Sequence, residues 1–263
     1  MCSNRCLVEG RSERERRAYD EGRVWERCHA WHMTARHVFE CPNSLRVEKV
    51  YYDLIAEAAR GGRALELGCA DGVDCERVHA LGAAYVHGID VSQHFITRAR
   101  ERDIPGKIAF TLGDVTQAIE GTWDVVFGKA ILHHLDYRAL LPRVHDAHLK
   151  PGGRMVFLEP LGENLLLRLY RVLSPAAHTA DEAPLYRRDL AWLKRTFNTL
   201  RIIPRNYVSL PLGILSTVLF SDADNPLTRL ADCADCWLAE HAKGLVPSFR
   251  QAVLHIDNPR DGS

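Results

Sequence analysis

Arg63-Ala64-Leu65-Glu66-Leu67-Gly68-Cys69-Ala70-Asp71-Gly72-Val73-Asp74 is the stretch whose reading decides the fold. Ala64, Leu65 and Leu67 make the apolar run of a strand covered on both faces, and Gly68 and Gly72 supply backbone freedom where the chain reverses into a helix. A strand, a glycine-bearing turn and a helix in this order cradle a nucleotide cofactor. A dinucleotide fingerprint needs glycine at the first, third and sixth positions of the turn so that a pyrophosphate can settle on the helix N-terminus. Here those positions hold Gly68, Ala70 and Val73. Asp71 adds a negative charge where a diphosphate would lie, a repulsion that a cationic sulfonium ligand would not feel.

Outward from this turn, strands and helices alternate, the pattern of an α/β fold whose mostly parallel sheet is covered on both faces. Strands are expected near 63–67, 85–89, 107–111, 123–128, 154–159, 200–208 and 249–256. Helices are expected at about 72–81, 92–102, 137–148, 163–173 and 186–197. Upstream, the Arg/Glu-rich text from Ser12 to His29 suggests an exposed helix, and Pro42 precedes a second helix from Ser44 to Ala59 that Gly61-Gly62 ends. Tyr19, Trp25, His29, Trp31 and His32 offer an aromatic flap over a cofactor or acceptor, or ordinary core packing.

The chain has 263 residues, 46% of them hydrophobic, enough for one substantial core. Its 34 basic and 34 acidic side chains cancel, which argues against nucleic acid or another polyanion as partner. Met1–Gly10 holds no signal-peptide core, so the expected location is cytoplasmic. No uninterrupted apolar run reaches 18 residues, so no membrane span is expected. A homo-oligomer is compatible with the text and is not required by it. The eight cysteines read as reduced thiols; Cys233 and Cys236, with His241 nearby, are either half of a zinc site or two thiols on one helical stripe, and no metal is assigned.

Residues 63–74 resemble motif I of the class I S-adenosylmethionine-dependent methyltransferases, an acid followed by Gly-x-Gly-x-Gly. Glu66 matches the acid, Gly68 and Gly72 the outer glycines, and Ala70 replaces the central one. The electrostatic argument and the resemblance both select S-adenosyl-L-methionine over NAD. Asp90 ends a short strand 24 positions after Glu66 and is expected to accept from the ribose hydroxyls, the alternative being a helix cap that Ser92 can fill by itself. In register after it, Asp114 in Leu112-Gly113-Asp114-Val115 matches the acid that the family sets against the adenine amine.

Trp123 to Leu135, with Lys129 and the pair His133-His134, resembles motif IV of small-molecule methyltransferases related to quinone and sterol biosynthesis. Trp123 reads as core packing, Asp124 as structural, and the Lys129 ammonium as pointing away from a like-charged sulfonium. The segment lacks Asp/Asn-Pro-Pro-Tyr/Phe and a Pro-Cys nucleophile, which argues against methylation of base amines and of cytosine carbon. Only one of the two histidines is expected to face the pocket, either in a structural role or as a general base worth ~10²- to 10⁴-fold if it acts, and the other to hydrogen-bond backbone or cap the following helix. Leu149-Lys150-Pro151-Gly152-Gly153 resembles the family's turn before the fifth strand, and Glu159 at that strand's end is a candidate for a substrate hydroxyl or amine, the alternative being a structural hydrogen bond. Leu158 to Arg171 extends the likeness to bacterial methyltransferases of specialised metabolism.

The resemblance implies a Rossmann-like seven-stranded sheet with the last strand antiparallel and a helical cap. The expected organisation is an N-terminal helical flap (1–62), a core (63–209, with a cap insertion at 160–184), a second cap insertion (210–247), and a final strand and tail (248–263). The implied cofactor set is Tyr19, Glu66, Gly68, Cys69, Ala70, Asp71, Gly72, Asp90, Val91, Gly113, Asp114, Val115, Gly128 and Lys129; the catalytic candidates are His133, His134 and Glu159. The expected reaction is methyl transfer to an oxygen or carbon of a small, largely apolar metabolite, with catalysis mainly by positioning, worth roughly 7–11 kcal/mol. Rival readings are methylation of an electron-rich carbon or alkene coupled to rearrangement, a cofactor-binding module without catalysis, and an NAD enzyme.

Overall fold

The computed structural model describes residues 11–20, 35–173 and 183–259. Trp25, His29, Trp31 and His32 lie outside these described residues, as does part of the 160–184 insertion. Helices α1 (Arg11–Asp20), α2 (Arg36–Glu40) and α3 (Pro42–Ala59) lead into β1 (Arg63–Leu67). Pro42 sits in the first turn of α3, where its missing N–H costs no helical bond. The chain continues through α4 (Val73–Ala80), β2 (Tyr85–Asp90), α5 (Gln93–Ala99), β3 (Ile108–Leu112) and β4 (Trp123–Lys129). Then follow α6 (Tyr137–Arg143), β5 (Leu149–Pro160), α7 (Leu165–Leu173), α8 (Arg187–Thr196) and β6 (Arg201–Arg205). Last come α9 (Ser209–Leu219), α10 (Pro226–His241) and β7 (Gln251–Asp257).

The seven strands form one sheet in the order β3-β2-β1-β4-β5-β7-β6. All pairings are parallel except those of β7, which runs antiparallel between β5 and β6. This is the Rossmann-like α/β architecture with a reversed last strand. The chain order reverses between β1 and β4, and ligands of such sheets bind in the crevice outside the carboxyl ends at that switch point.

Strand alternation divides the core between the two faces. Leu65, Leu67 and Val126 pack in one cluster with α6 and α8, whereas Ala64, Val125 and Phe127 pack in the other with α3 and α4. Glu66 shares the face of Ala64, so its carboxyl is directed beneath α3 and α4 rather than into open solvent. Trp123 is buried and donates Nε1–H to the Glu120 carbonyl, and Asp124 accepts from Lys150 Nζ at 2.7 Å and from the Arg63 N–H at 2.8 Å.

Strand β5 starts five residues earlier than the expected position 154. Trp123 pairs with Leu149 and Val125 with Arg154, so Pro151 and Gly152 form a bulge inside the strand, with Gly152 at φ +81°. The 210–247 segment leaves the carboxyl end of β6 as α9 and α10. Leu210 packs with Ala35 and Val38 of the α2 region, and α10 lies against α3 and β6. Asp235 of α10 accepts from the N–H groups of Tyr207, Val208 and Ser209 (3.2, 2.6 and 3.0 Å), supplying acceptors and negative charge to the N-terminus of α9. Cys233 is exposed on α10, and the Cys236 thiol donates to Asp232. Among the described residues no group of three or more His, Cys, Asp or Glu is arranged to hold a metal, and no helix is long and apolar enough to cross a membrane.

Candidate active site

A cavity of about 230 Å³ lies over the carboxyl ends of β1 to β4, a space of small-molecule rather than ion size. Gly68 and Ala70 line it from β1, Asp90 and Val91 from β2, Gly113, Asp114 and Val115 from β3, and Lys129, Ala130 and Ile131 from β4. His134 and Leu135 continue the wall, and Tyr19 of α1 and Phe95 of α5 complete it.

Asp90 organises the floor. Its Oδ2 accepts from the Ala70 N–H and its Oδ1 from the Ser92 N–H, both at 2.9 Å. Burial pushes its carboxyl up from the ordinary value, and the N–H groups of Ser92, Ala70 and Val91 oppose that shift. Ser92 caps α5 through Phe95 N–H, so the cap and the carboxylate are separate devices. Asp114 Oδ1 accepts from both the N–H and the hydroxyl of Thr116. Gly68 has φ +71°, and a Cβ there would stand 2.5 Å from Ile131 Cδ1, which is why the wall requires glycine. Ala70 at φ +45° and Ala130 at φ +55° occupy the left-handed region despite carrying a Cβ, so backbone strain concentrates at this cavity.

The helix α1 is fastened over the same ends. Asp20 Oδ1 accepts from Ser92 Oγ at 2.6 Å and from His94 N–H at 3.2 Å, at the start of α5. Tyr19 Oη lies 3.3 Å from His134 Nε2, and its ring meets those of Phe95 and His134 with centroids 5.9 Å away in each case.

The rings of the two histidines stay close, with centroids 4.1 Å apart, but take different partners. His134 lines the cavity, while His133 turns its Nδ1 to Glu159 Oε2 at 2.8 Å. Glu159 Oε1 also accepts from the N–H groups of Ile131 (2.9 Å) and Leu132 (2.8 Å). Glu159 is 1% exposed and does not line the cavity, so its carboxylate clamps the Ile131–His133 turn instead of reaching a substrate. The His133 carbonyl accepts from Ala183 N–H at 3.1 Å, where the 160–184 insertion returns beside the site.

Several residues of the expected cofactor set stand behind the wall. Glu66 accepts the Cys75 thiol at 2.9 Å; burial, reinforced by Asp74, pushes its carboxyl well above the ordinary range. Cys69 is buried and its thiol is likewise pushed well up by burial. Asp71 faces Arg98 at 3.5 Å, and its carbonyl accepts from Arg102 Nε. That geometry corrects the electrostatic argument from the turn, since the Asp71 charge is directed to Arg98 and Asp71 does not line the cavity. Gly72, at φ +81°, gives α4 its N-cap under Phe110, and Gly128 makes room for Ile131 and the Leu67 carbonyl.

Phe95, Ala130, Ile131 and Leu135 were absent from the expected set. Phe95 carried a usable signal: it follows Ser92 by three residues, on the first turn of a helix that begins at the cavity. Ile131 and Leu135 flank the histidine pair and were legible only as core.

The donor set suits an adenosyl sulfonium compound. Two carboxylates at neighbouring strand ends can accept from ribose hydroxyls and an adenine amine, and Gly68 and Gly113 let Ile131 and Ala118 pack directly against the backbone of these strand ends. Residues 65–155 match the family described as a methyltransferase domain. The chain is 32% identical over 127 residues to the 27-O-demethylrifamycin SV methyltransferase of Amycolatopsis mediterranei, covering 46% of this chain and 43% of that protein. It is 30% identical over 128 residues to the ubiquinone biosynthesis O-methyltransferase of Neisseria meningitidis serogroup C, covering 46% and 52%. The matched stretch thus spans about half the length of these curated relatives. Among solved structures, magnesium protoporphyrin IX methyltransferase from Synechocystis PCC 6803, with bound S-adenosylhomocysteine, superposes with a TM-score of 0.59 at 13% identity over 94% of this chain and 99% of that one.

The matched stretch is thus similar to the class I S-adenosylmethionine-dependent methyltransferases that act on small molecules. S-adenosyl-L-methionine is the cofactor of that class.

Proposed function

We propose that this chain transfers the methyl group of S-adenosyl-L-methionine to a hydroxyl oxygen of a small, largely apolar metabolite, as part of specialised biosynthesis. The observation that carries the reading is the placement of His134 on a cavity wall shared with Asp90 and Asp114. The relatives with printed roles in rifamycin and ubiquinone O-methylation support oxygen as the acceptor atom.

Bound in this cavity, the cofactor supplies an electrophilic methyl carbon on a sulfonium. Asp90 would hold the ribose hydroxyls and Asp114 the adenine amine. Tyr19, Phe95, Ile131 and Leu135 give the remaining wall its aromatic and apolar character, which favours an apolar acceptor and excludes water. His134 Nε2, 3.3 Å from Tyr19 Oη, would take the acceptor's hydroxyl proton once the acceptor's oxygen replaces the tyrosine hydroxyl at that nitrogen. Glu159 and His133 act at one remove, holding the turn from which His134 projects. The 1–62 flap and the 160–184 insertion would frame the acceptor, while α9 and α10 of the 210–247 cap support the flap side through α2 and α3.

Incubation with methyl-labelled S-adenosylmethionine and a panel of apolar phenols, enols and alcohols tests this directly. Label on an acceptor oxygen is expected. Label on carbon would favour the C-methylation rival, and donor binding with no transfer to any acceptor would leave a binding module.

A further inference from the structure

Lys129 ends β4 and lines the cavity, and it is the only lysine or arginine among the described lining residues. Its Nζ donates to Glu48 Oε1 of α3 at 3.0 Å, and the two side chains are 37% and 39% exposed. The sheet order assigns the pair a place along the ligand. Asp114 follows β3, Asp90 ends β2, and Gly68 follows β1, so a ligand whose adenine and ribose lie over β3 and β2 extends across Gly68 toward β4. For S-adenosylmethionine held in that order, the part presented there would be its amino-acid end, a carboxylate and an ammonium on one carbon.

We infer that the Lys129–Glu48 pair reads this zwitterion, the lysine taking the donor's carboxylate and the glutamate its ammonium, and so selects donors that retain the carboxylate. The inference rests on the donor reading of the cavity. A lone ammonium at this strand end would repel a sulfonium; an ammonium matched by a carboxylate adds no net charge. The amino-acid end is also neutral overall, so exchanging the internal pair for two pairs to the ligand keeps every charge opposed. An ion pair this exposed contributes little to the fold, which leaves it free to open.

The test is calorimetric titration of the full chain with S-adenosylmethionine and with decarboxylated S-adenosylmethionine, which keeps the adenosine and sulfonium and lacks the carboxylate. The wild type is expected to bind the complete donor about tenfold tighter or more. Lys129→Met should lose about that factor for the complete donor and nothing for the decarboxylated one, and Lys129→Arg should retain most of the preference. Equal binding of both compounds by the wild type, or equal weakening of both by Lys129→Met, would overturn the inference. If the wild type binds neither compound, the donor reading of the cavity falls first and this inference with it. The wild-type comparison stands alone should Lys129→Met fail to fold.

Discussion

Glu159 Oε2 lies 2.8 Å from His133 Nδ1, and the same carboxylate accepts the N–H groups of Ile131 and Leu132. One buried side chain on β5 thereby sets the path of the turn that delivers His134 to the cavity. Three donors converge on it with almost no solvent to replace them. Glu159→Ala should therefore lower stability by about 1–3 kcal/mol or more and reduce kcat. The affinity for S-adenosylmethionine should be nearly unchanged, because Glu159 does not line the cavity. Urea denaturation and donor titration on the same variant separate the two effects.

His134→Ala should lower kcat by ~10²- to 10⁴-fold with donor affinity preserved. His133→Ala should lower kcat less and destabilise more, since its ring is 5% exposed and bonded to Glu159. Full turnover in His134→Ala, measured with an identified acceptor, would remove the proton-acceptor role.

Ala70 holds φ +45° with its N–H on Asp90. Ala70→Gly relieves the crowding of a Cβ in the left-handed region and restores the glycine of the motif I pattern. We expect a stability gain of up to about 1 kcal/mol, offset in part by the added freedom of the unfolded chain. A loss of stability in thermal melts would mean that the strain is not where the backbone puts it.

Glu66 yields a pH signature. Burial raises its folded-state carboxyl well above the unfolded value of 4.5, so the folded state binds more protons between the two. Its contribution to stability is fully present below about pH 4.5 and is lost as pH rises toward the folded value, by at most about 1.4 kcal/mol per pH unit. Glu66→Gln removes the titration and should become progressively more stable than the wild type from pH 5 to pH 8. A stability difference that does not change across that range contradicts the assignment.

The strands and the floor of the site were legible because their signals are local. Apolar runs with glycine and aspartate at their ends mark Gly68, Asp90, Gly113 and Asp114, and each of these lines the cavity. What stayed hidden depends on partners distant in sequence. Asp71 turns to Arg98, Glu159 turns back to residues 131–133, and Asp20 latches α1 onto Ser92 across 72 positions. Glu66 is an intermediate case. Its place between Leu65 and Leu67 in a strand covered on both faces already implied burial opposite those leucines, but its pairing with the Cys75 thiol beside Asp74 depends on how α4 packs over the sheet.

The central claim is that Asp90 anchors an S-adenosylmethionine molecule in this cavity. Titration calorimetry of the wild type and Asp90→Ala with S-adenosylmethionine tests it most directly, with the folded state of the variant checked by circular dichroism. Saturable binding near one molecule per chain is expected in the wild type, weakened about a hundredfold or more in Asp90→Ala through loss of two hydrogen bonds to a charged acceptor. No binding by the wild type, or equal affinity in the folded variant, would contradict the account.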